Sequence, residues 1–464
     1  MTRKVVVIGA GPAGYVCAIR LKQLGQDVTV VEKEFLGGTC LNVGCIPSKA
    51  MIAAGSLMAK IKKGEQMGIS VKGVDIDLSK LVEWKASIVK RLTGGIGTLF
   101  KQHGIPWHEG SATIRDKNTV VVTTKDGEQT LACDDIVIAT GSAPISIPGF
   151  QIDEDQVWSS TGALAPKKLP KHLLVIGAGV IGLELGMMYR RLGSEVTVVE
   201  FTPGALPGTD PDCVKVIERE LKKSKTKLLA NHAATGFVKH GDGFRVTAKG
   251  PKGEQTIDCD QILCAVGRRP YADGLGLEKL DLKTVKPGFI EVDSQMRTAI
   301  PNIYAVGDMV GQPMLAHKGS HEGLVAAAVI AGKPDQNDAR CIPSVIYTHP
   351  EVASVGLSEA QAKEAGHEIA VGKFPFAASG RAMTIQDTDG FIKIVADAKT
   401  DEVLGVHMVG PEVTELIAEA GLAIEMGATT EDISRTIHAH PSLTEAMMEA
   451  AEAVHKMAVH IYQK

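Results

Sequence analysis

Two copies of one glycine-rich segment constrain the fold of this chain more than any other feature of its sequence. Residues 5–14 (VVVIGAGPAG) and 174–182 (LVIGAGVIG) each pass from an apolar strand pattern into Gly-x-Gly-x-x-Gly. A helix-compatible stretch follows each copy, and then the identical pentapeptide VTVVE, at 28–32 and at 196–200. This order, ending in an acid about 20 residues on, is typical of a dinucleotide-binding βαβ unit. The duplication therefore predicts an α/β protein with two Rossmann-like domains; glycine turns that only pack a helix on a strand are the alternative.

The glycines and the terminal acids of the two segments each suit a dinucleotide. The first glycine permits a tight turn, the second lets the backbone approach a pyrophosphate, and the third allows close packing of helix on strand. The helix that follows offers free N–H groups and the positive end of its dipole to phosphates. Glu32 and Glu200 can accept hydrogen bonds from ribose hydroxyls, and because an acid repels a 2′-phosphate, Glu200 favours NAD over NADP. The glycines are Gly9, Gly11 and Gly14 in the first copy and Gly177, Gly179 and Gly182 in the second.

A pair of cysteines follows the first nucleotide-binding segment. Cys40 and Cys45 lie in GGTCLNVGCIPSK, at residues 37–49. Such a dithiol, oxidised to a disulfide, can accept two electrons and pass them to a bound two-electron carrier. The neighbouring sequence has no second cysteine pair or histidine pair to complete a tetrahedral metal site, so we expect no metal; a purely structural pairing is the alternative. The other six cysteines are interpreted as small core residues: Cys17, Cys133, Cys213, Cys259, Cys264 and Cys341.

Two dinucleotide folds around one redox cysteine pair predict two different dinucleotides. The fold beside the cysteines is expected to bind a flavin, because nicotinamide transfers hydride and does not normally react with a disulfide. The second fold is then expected to bind NAD. Two more buried-strand patterns end in glycine turns, DIVIATGS at 135–142 and IYAVGD at 303–308. The Asp308 carboxylate could hold flavin ribityl hydroxyls, with an ordinary strand end as the alternative.

From about residue 340 the sequence changes to an α+β pattern without a third glycine motif. Strands are predicted at 344–346, 391–395 and 403–409, and helices at 414–426 and 443–459. The segment IHAHPSLTEA, at 437–446, is its most notable feature.

In that segment Pro441 suits a helix start. His440 lies just outside the predicted helix, where Glu445 could hold one of its ring nitrogens and leave the other free to take a proton. A helix cap or a surface histidine is the alternative, and His438 is interpreted in that way.

Composition excludes several classes of function. The chain has 44% hydrophobic and 22% charged residues and a net charge of −4, which gives no electrostatic footprint for nucleic acid. We expect no membrane-spanning helix, because the best apolar run, 176–189, is short and contains Glu184. The first strand begins almost at the N-terminus, so we expect no signal or transit peptide, although a processed organellar protein would look the same.

Taken together, the motifs resemble the dihydrolipoamide dehydrogenases, class I members of the FAD-dependent pyridine nucleotide–disulfide oxidoreductases. The resemblance rests on GGTCLNVGCIPSK, the paired glycine motifs, ATGS, IYAVGD, MLAHK, PSVIYTHPEVASVG and HAHPSLTEA, and covers roughly residues 4–455. Glu200 and a C-terminus without cysteine distinguish the chain from NADP-linked relatives and from those with a second cysteine pair. His321 departs from the pattern, because relatives often have an acidic or small residue there.

The resemblance implies an architecture, a reaction and partners. It implies an FAD-binding domain (1–147), an NAD-binding domain (148–270), a central domain completing the FAD site (271–340) and an interface domain for dimerisation (341–464). It implies one non-covalent FAD per subunit, NAD+ as co-substrate and a homodimer that oxidises dihydrolipoamide. The partners implied are lipoyl domains and core subunits of 2-oxo acid dehydrogenase or glycine cleavage complexes, with neither nucleic acid nor membrane. The location implied is the bacterial cytoplasm, or the mitochondrial matrix for a processed eukaryotic chain.

The resemblance also implies a role for each site residue. His440, oriented by Glu445, takes the proton of the substrate thiol at the partner subunit's disulfide; Cys40 is attacked by substrate, and Cys45 lies against the flavin. Lys49, paired with Glu184, places an ammonium beside the flavin ring. The implied FAD contacts are Gly9, Gly11, Gly14, Glu32, Gly38, Thr39, Lys49, Ala112, Thr140, Gly141, Ser142, Asp308, Met314, Leu315, Ala316 and His317. The implied NAD contacts are Gly177, Gly179, Val180, Ile181, Gly182, Glu184, Glu200, Ala234 and Gly267.

Other functions stay open at this level. A related NADH-dependent disulfide reductase or diaphorase would act on another substrate. A docking subunit of a large complex would not need a complete electron path. A membrane-bound NADH–quinone oxidoreductase would be expected to carry a C-terminal apolar or amphipathic anchor, and residues 446–464 are too charged for one.

Overall fold

The computed structural model describes residues 1–285 and 288–463. The part up to residue 144 contains strands β1 Lys4–Ile8, β2 Asp27–Glu32, β3 Trp107–Glu109, β4 Ser111–Asp116, β5 Thr119–Thr124, β6 Gly127–Ala132, β7 Asp135–Ile138 and β8 Ser142–Pro144. Its helices are α1 Pro12–Gln23, α2 Gly38–Val43, α3 Cys45–Lys63 and α4 Leu78–His103.

The next part contains the second glycine motif. Its strands are β9 Val157–Trp158, β10 His172–Ile176, β11 Glu195–Val199, β12 Lys227–Leu229, β13 Ala233–His240, β14 Gly243–Gly250, β15 Gly253–Cys259, β16 Gln261–Cys264 and β17 Arg268–Pro270. Its helices are α5 Ser160–Ala163, α6 Val180–Leu192 and α7 Pro211–Lys223. After it come β18 Thr284–Val285, β19 Phe289–Ile290, β20 Ile303–Ala305 and α8 Ala316–Ile330.

The C-terminal part has five strands: β21 Ser344–Ile346, β22 Glu351–Gly356, β23 Ile369–Pro375, β24 Phe391–Asp397 and β25 Val403–Gly410. Its helices are α9 Glu359–Glu364, α10 Gly380–Thr384, α11 Val413–Met426, α12 Thr430–Arg435 and α13 Glu445–Val454. The five strands form an antiparallel sheet in the order β21-β22-β25-β24-β23, against which α11 and α13 pack. This α+β arrangement was predicted from the sequence.

The two glycine-motif segments build two matching parallel sheets. The first has the order β20-β7-β1-β2-β3 and the second the order β9-β16-β10-β11-β12. β1 pairs with β2, and β10 with β11, in the same register from the first residue of each strand. The strand cores are continuous apolar runs because both faces of each parallel sheet are covered. Helices cover one face, and the other packs against an antiparallel sheet, β4-β5-β6 in the first fold and β13-β14-β15 in the second. The predicted fold class, two Rossmann-like domains followed by an α+β domain, is confirmed.

The central segment contributes to the first sheet from far along the chain. β20 pairs with β7 in parallel, and α8 packs against α1. A strand 300 residues from the N-terminus therefore completes the N-terminal sheet, which puts Asp308 at the same sheet edge as Gly9. The boundaries at residues 147, 270 and 340 stay predictions.

The C-terminal helix differs from its prediction. A helix was expected from 443 to 459, starting near Pro441, but α13 runs from Glu445 to Val454. At its start the Glu445 carboxylate accepts the Ser442 N–H at 2.8 Å, which holds the preceding residues in a turn. Beyond its end the buried carboxylate of Glu449 accepts the N–H of Val459 at 3.1 Å, which draws the chain back along the helix.

Two further expectations need correction. The best candidate for a membrane span among the described residues is the helical stretch Gly38–Met67, which qualifies by length and composition alone, and not residues 176–189. Its window is 28% buried, and it is broken at Gly44, between α2 and α3. The second correction concerns the six cysteines taken as core residues: five are buried, but Cys341 is partly exposed beside Glu425.

Candidate functional site

The first glycine of each motif turns the chain into its helix. Gly9 and Gly177 adopt φ values of +103° and +102°, which favour glycine. A Cβ on Gly9 would lie 2.3 Å from the Ala139 oxygen. A Cβ on the third glycine, Gly14 or Gly182, would lie 2.0 Å from the oxygen of the first glycine. Glycine is therefore required at both positions by the packing of the turn itself.

The second glycine of each motif faces open space instead. Nothing lies within 4 Å of a Cβ built on Gly179, and for Gly11 the nearest atom is the Gly38 Cα at 3.9 Å. Both residues are N-caps without a side-chain hydrogen bond, and the first turns of α1 and α6 contain no acid. By contrast Asp77 caps α4 and Asp210 caps α7. These two uncapped helix starts fit the phosphates of two dinucleotides, which would accept their N–H groups.

The strand-end acids are bound to these same turns. One oxygen of Glu32 accepts the Ala10 N–H at 2.7 Å, and one oxygen of Glu200 accepts the Ala178 N–H at 2.6 Å. The other oxygen of Glu200 accepts the Thr202 N–H at 2.6 Å, and the residue is buried. Each carboxylate has about four acceptor sites, so hydrogen bonds from ribose hydroxyls remain possible. The sequence did not indicate that these acids also fix the glycine turns.

The two cysteines meet across a sharp break between helices. Cys40 lies in α2 and Cys45 is the first residue of α3, with Gly44 between the helices. A Cβ on Gly44 would lie 2.9 Å from the Thr39 oxygen and 3.3 Å from the Cys40 Cα. A side chain at this position would therefore press on the α2 backbone at Thr39 and Cys40, and sequence reasoning missed this role. Both cysteines are free thiols in the structure, and within the described residues no group of three His, Cys, Asp or Glu could hold a metal.

The environment of Cys45 favours its thiolate. A hydrogen bond from Cys40 lowers the pKa of Cys45 to about 7, against the opposing effect of burial and with help from the positive charge of Lys49. The same hydrogen bond, together with burial, raises the pKa of Cys40. Cys45 also stands at the N-terminus of α3, where the helix dipole favours negative charge. The reduced pair is therefore set up with its negative charge on Cys45.

Lys49 lies one turn further along α3. Its Nζ is 2.9 Å from Glu184 Oε2, and the Glu184 side chain, on α6 of the second fold, is 5% exposed. The second oxygen of Glu184 accepts the N–H of Tyr347 at 2.8 Å. The pair that the resemblance implied is thus formed, and it joins the two nucleotide-binding folds beside Cys45.

The loop residues expected at a flavin are connected to one another. Ser142 Oγ lies 2.5 Å from Asp308 Oδ2, which brings the segments after β7 and β20 together. The Thr140 hydroxyl donates to the backbone carbonyl oxygen of Tyr271 at 2.7 Å, and the carbonyl oxygen of Gly141 accepts the Tyr271 N–H at 2.9 Å. Three loops distant in sequence therefore meet at one edge of the first sheet.

Two residues at this edge were missed by sequence reasoning. Arg268 donates to Ser142 Oγ at 2.8 Å and to its carbonyl oxygen at 2.6 Å, and burial lowers the pKa of Arg268. Glu322 is buried, accepts the Gly307 N–H at 2.7 Å and pairs with Lys318 at 2.9 Å. Only weak sequence signals could have indicated these two residues. Arg268 directly follows the predicted contact Gly267, and Glu322 lies in the helix that begins within MLAHK. His321, the departure from the pattern, is exposed.

The remaining predicted contacts of the two dinucleotides lie in the following elements of the fold. Gly38 and Thr39 open α2, Ala112 lies in β4, Met314 and Leu315 precede α8, and Ala316 and His317 begin it. Val180 and Ile181 form the first turn of α6, Ala234 lies at a register shift in β13, and Gly267 precedes β17. His317 Nε2 is 2.8 Å from the Pro343 oxygen, so one nitrogen of its ring is already engaged.

The histidine–glutamate pair of the C-terminal domain is formed. His440 Nδ1 lies 2.8 Å from Glu445 Oε1, and the His440 side chain is 81% exposed, with Nε2 free to meet another molecule. Hydrogen bonds from the Ser442 N–H and from His440 outweigh burial and lower the pKa of Glu445, which therefore stays ionised. Within the residues that the structure describes, no hydrogen bond or ion pair connects this pair with Cys40 or Cys45.

Comparison with known proteins agrees with this geometry. The sequence profile of the family described as pyridine nucleotide-disulphide oxidoreductase matches residues 3–323, and the profile of its dimerisation domain matches residues 342–451. The chain is 48% identical over 461 residues to dihydrolipoyl dehydrogenase of Geobacillus stearothermophilus, covering 99% of this chain and 98% of the relative. It is 49% identical over 455 residues to mitochondrial dihydrolipoyl dehydrogenase of Rattus norvegicus, covering 96% and 89%.

Solved structures give the same result. The crystal structure of LpdA from Mycobacterium tuberculosis superposes with a TM-score of 0.91 at 27% identity, covering 97% of this chain and 99% of that one. The HOCl-induced flavoprotein disulfide reductase RclA from Escherichia coli superposes with a TM-score of 0.87 at 26% identity, with the same coverage.

Proposed function

The chain belongs to the pyridine nucleotide-disulphide oxidoreductases, and from this premise we propose that it oxidises dihydrolipoamide to lipoamide and reduces NAD+ to NADH. One observation carries the proposal: Cys45 accepts a hydrogen bond from Cys40 and feels the positive charge of Lys49, so that it is stabilised as a thiolate. It does so beside two folds in which a glycine turn leads into a helix without an N-terminal side-chain cap. The family uses FAD and NAD(H); we propose one non-covalent FAD in the first fold and NAD+ in the second. The names of the full-length relatives support the dihydrolipoyl substrate.

The thiol chemistry follows from the residues. The oxidised enzyme has Cys40 and Cys45 joined as a disulfide, and only the thiolate form of the substrate can attack it. A free thiol has a pKa of about 8–9, so a base is needed to remove the substrate's proton near neutral pH. His440 Nε2 takes that proton while Glu445 holds Nδ1 and stabilises the charged ring. The substrate thiolate then attacks Cys40, a mixed disulfide forms, and Cys45 leaves as the thiolate.

The second substrate sulfur closes the exchange. It attacks the substrate sulfur bonded to Cys40 and gives up its proton to the departing Cys40, so that lipoamide leaves with its own disulfide and Cys40 is released as a thiol. The cysteine pair has then gained two electrons and the substrate has lost two. Lys49 and the N-terminus of α3 stabilise the negative charge left on Cys45. FAD, when bound, supplies a two-electron carrier between sulfur and NAD+.

A homodimer is part of the proposal. The His440–Glu445 pair makes no contact with the cysteines of its own chain in the described residues, which supports a role for it at the disulfide of a second copy. Near it, Leu422, Met426 and Ile437 are 64%, 76% and 96% exposed, which is costly unless another surface covers them. The dimerisation-domain match also supports this arrangement.

Partners and location are proposed on the relatives. We propose lipoyl domains and core subunits of 2-oxo acid dehydrogenase or glycine cleavage complexes as partners. We propose a soluble, reducing compartment: the cytoplasm for a bacterial chain or the mitochondrial matrix for a processed eukaryotic one, since relatives of both kinds match.

An anaerobic titration of the purified holoenzyme tests the reaction. Dihydrolipoamide should produce a long-wavelength absorbance band after two electrons per subunit, NAD+ should discharge it, and Cys45→Ser should abolish it. Bleaching without that band would contradict the role of Cys45. A response to another disulfide but none to dihydrolipoamide would favour a reductase with a different substrate and overturn the substrate proposed here.

A further inference from the structure

Tyr347 touches both members of the Lys49–Glu184 pair. Its backbone N–H donates to Glu184 Oε1 at 2.8 Å. Its ring centroid lies 4.4 Å from Lys49 Nζ, within the range of a cation–π contact. Tyr347 directly follows β21, the edge strand of the C-terminal sheet, so it belongs to the C-terminal domain and to neither nucleotide-binding fold.

Lys49 needs such a second contact to hold its ammonium in one place. Its side chain is 32% exposed and has a flexible four-carbon stem. Glu184 supplies one anchor from α6, and the ring of Tyr347 supplies another. The two anchors come from different domains, so the position of Lys49 depends on how all three domains pack.

We propose that Tyr347 is a positioning residue that fixes the Lys49 ammonium relative to Cys45. The proposal rests on the proposed redox role of Cys45 and adds to it a residue of the interface domain. A fixed cation beside Cys45 stabilises the thiolate more than a mobile, hydrated one. The other ionisable groups that act on Cys45 are Cys40, Glu184 and the Arg268 guanidinium.

The test uses three variants of the holoenzyme. Tyr347→Leu removes the ring but keeps the backbone N–H that Glu184 accepts, and Tyr347→Phe keeps the ring. Phe391→Leu is the matched control, because the Phe391 ring lies 3.7 Å from the Lys373 ammonium, in a contact separate from the Lys49 pair. Each enzyme is reduced by two electrons with dithiothreitol, and its long-wavelength absorbance is followed against pH.

The band reports the Cys45 thiolate, so it should persist above the titration midpoint and fade as the pH falls below it. The midpoint of the wild type is expected near the pKa of Cys45, about 7. Tyr347→Leu should raise it by about 0.5 to 1 pH unit, whereas Tyr347→Phe and Phe391→Leu should leave it unchanged. A Tyr347→Leu midpoint equal to that of the wild type would overturn the proposal.

A double-variant cycle separates positioning from general damage. In a Lys49→Met background Tyr347→Leu should add no further midpoint shift, and the Tm losses of the two changes should not add. An equal shift in both backgrounds would overturn the proposal. If the wild type gives no band, the proposed role of Cys45 fails instead. The Tm losses of the two single variants and the double variant then test the contact on their own, and additive losses would reject the Tyr347–Lys49 contact.

Discussion

Lys393 and Asp210 form a buried ion pair between the C-terminal sheet and the second nucleotide-binding fold. Lys393 Nζ lies 2.7 Å from Asp210 Oδ2, and their side chains are 2% and 1% exposed. Asp210 caps α7, which follows the loop after the strand-end acid Glu200. Glu359 adds a second carboxylate at 2.9 Å from the same ammonium. Asp212 adds a third carboxylate at 3.3 Å, so Lys393 joins the C-terminal sheet to the fold expected to bind NAD.

Replacing Lys393 by methionine should strongly destabilise the protein. Loss of one partner leaves Asp210 buried without its counter-charge, and such breakage costs about 3–5 kcal/mol. The free energy of unfolding in guanidinium chloride, measured on the holoenzyme, provides the check. Lys399→Met is the control, because Lys399 pairs with Glu368 at 3.6 Å, apart from the Lys393 network, and is 76% exposed, so its loss should cost about 1 kcal/mol or less. Equal losses in the two variants would contradict this account of the buried pair.

Replacing His440 by glutamine should slow the reaction with dihydrolipoamide. Loss of a positioned base costs about 100- to 10,000-fold, so reduction of the enzyme in a stopped-flow experiment should slow by that order. His367 provides the matched control, since its Nδ1 lies 2.7 Å from Asp397 and it takes no part in the proposed chemistry. His367→Gln should react within about twofold of the wild type, as expected for a surface substitution. A His440→Gln rate near that of the control would refute the assignment of the base.

Two glycines of the second motif should respond in opposite ways to alanine. Gly182→Ala should prevent stable folding, because its Cβ would lie 2.0 Å from the Gly177 oxygen. Gly179→Ala should fold normally, since nothing lies within 4 Å of the new methyl group and its φ is −75°. In that variant the methyl group would enter the space proposed for the pyrophosphate, so the KM for NAD+ should rise about tenfold or more. Unchanged kinetics in a folded Gly179→Ala enzyme would argue against NAD binding at this turn.

Replacing Glu200 by glutamine should weaken both NAD binding and the preference against NADP. The charge that repels a 2′-phosphate would be lost, and so would one of the hydrogen bonds accepted from Ala178 and Thr202, because the glutamine amide nitrogen cannot accept one. The ratio of kcat/KM for NAD+ and NADP+ should fall about tenfold, since charged hydrogen bonds contribute about 1.5–3 kcal/mol. Glu195→Gln, at the exposed start of the same strand, should leave the ratio unchanged. A ratio in Glu200→Gln equal to that of the control would reject the proposed readout of the ribose.

Much of the site could be predicted because its determinants are local. The turns at Gly9 and Gly177, the placement of Cys40 and Cys45, and the spacing of His440 and Glu445 depend on a few consecutive residues. Their conformations repeat wherever the same short pattern occurs. The end of α13 was predicted wrongly because it depends on Glu449 binding a returning segment, a contact that has no local signal.

The sequence alone determined the two parallel nucleotide-binding folds, the cysteine pair and the resemblance to disulfide oxidoreductases. It could do so because glycine conformation, apolar periodicity and residue spacing act over short distances. Tertiary structure alone decided that β20 completes the first sheet, that Arg268 holds Ser142, and that Tyr347 covers Lys49. These contacts join residues more than 100 positions apart, and only the packing of the domains determines which side chains meet there.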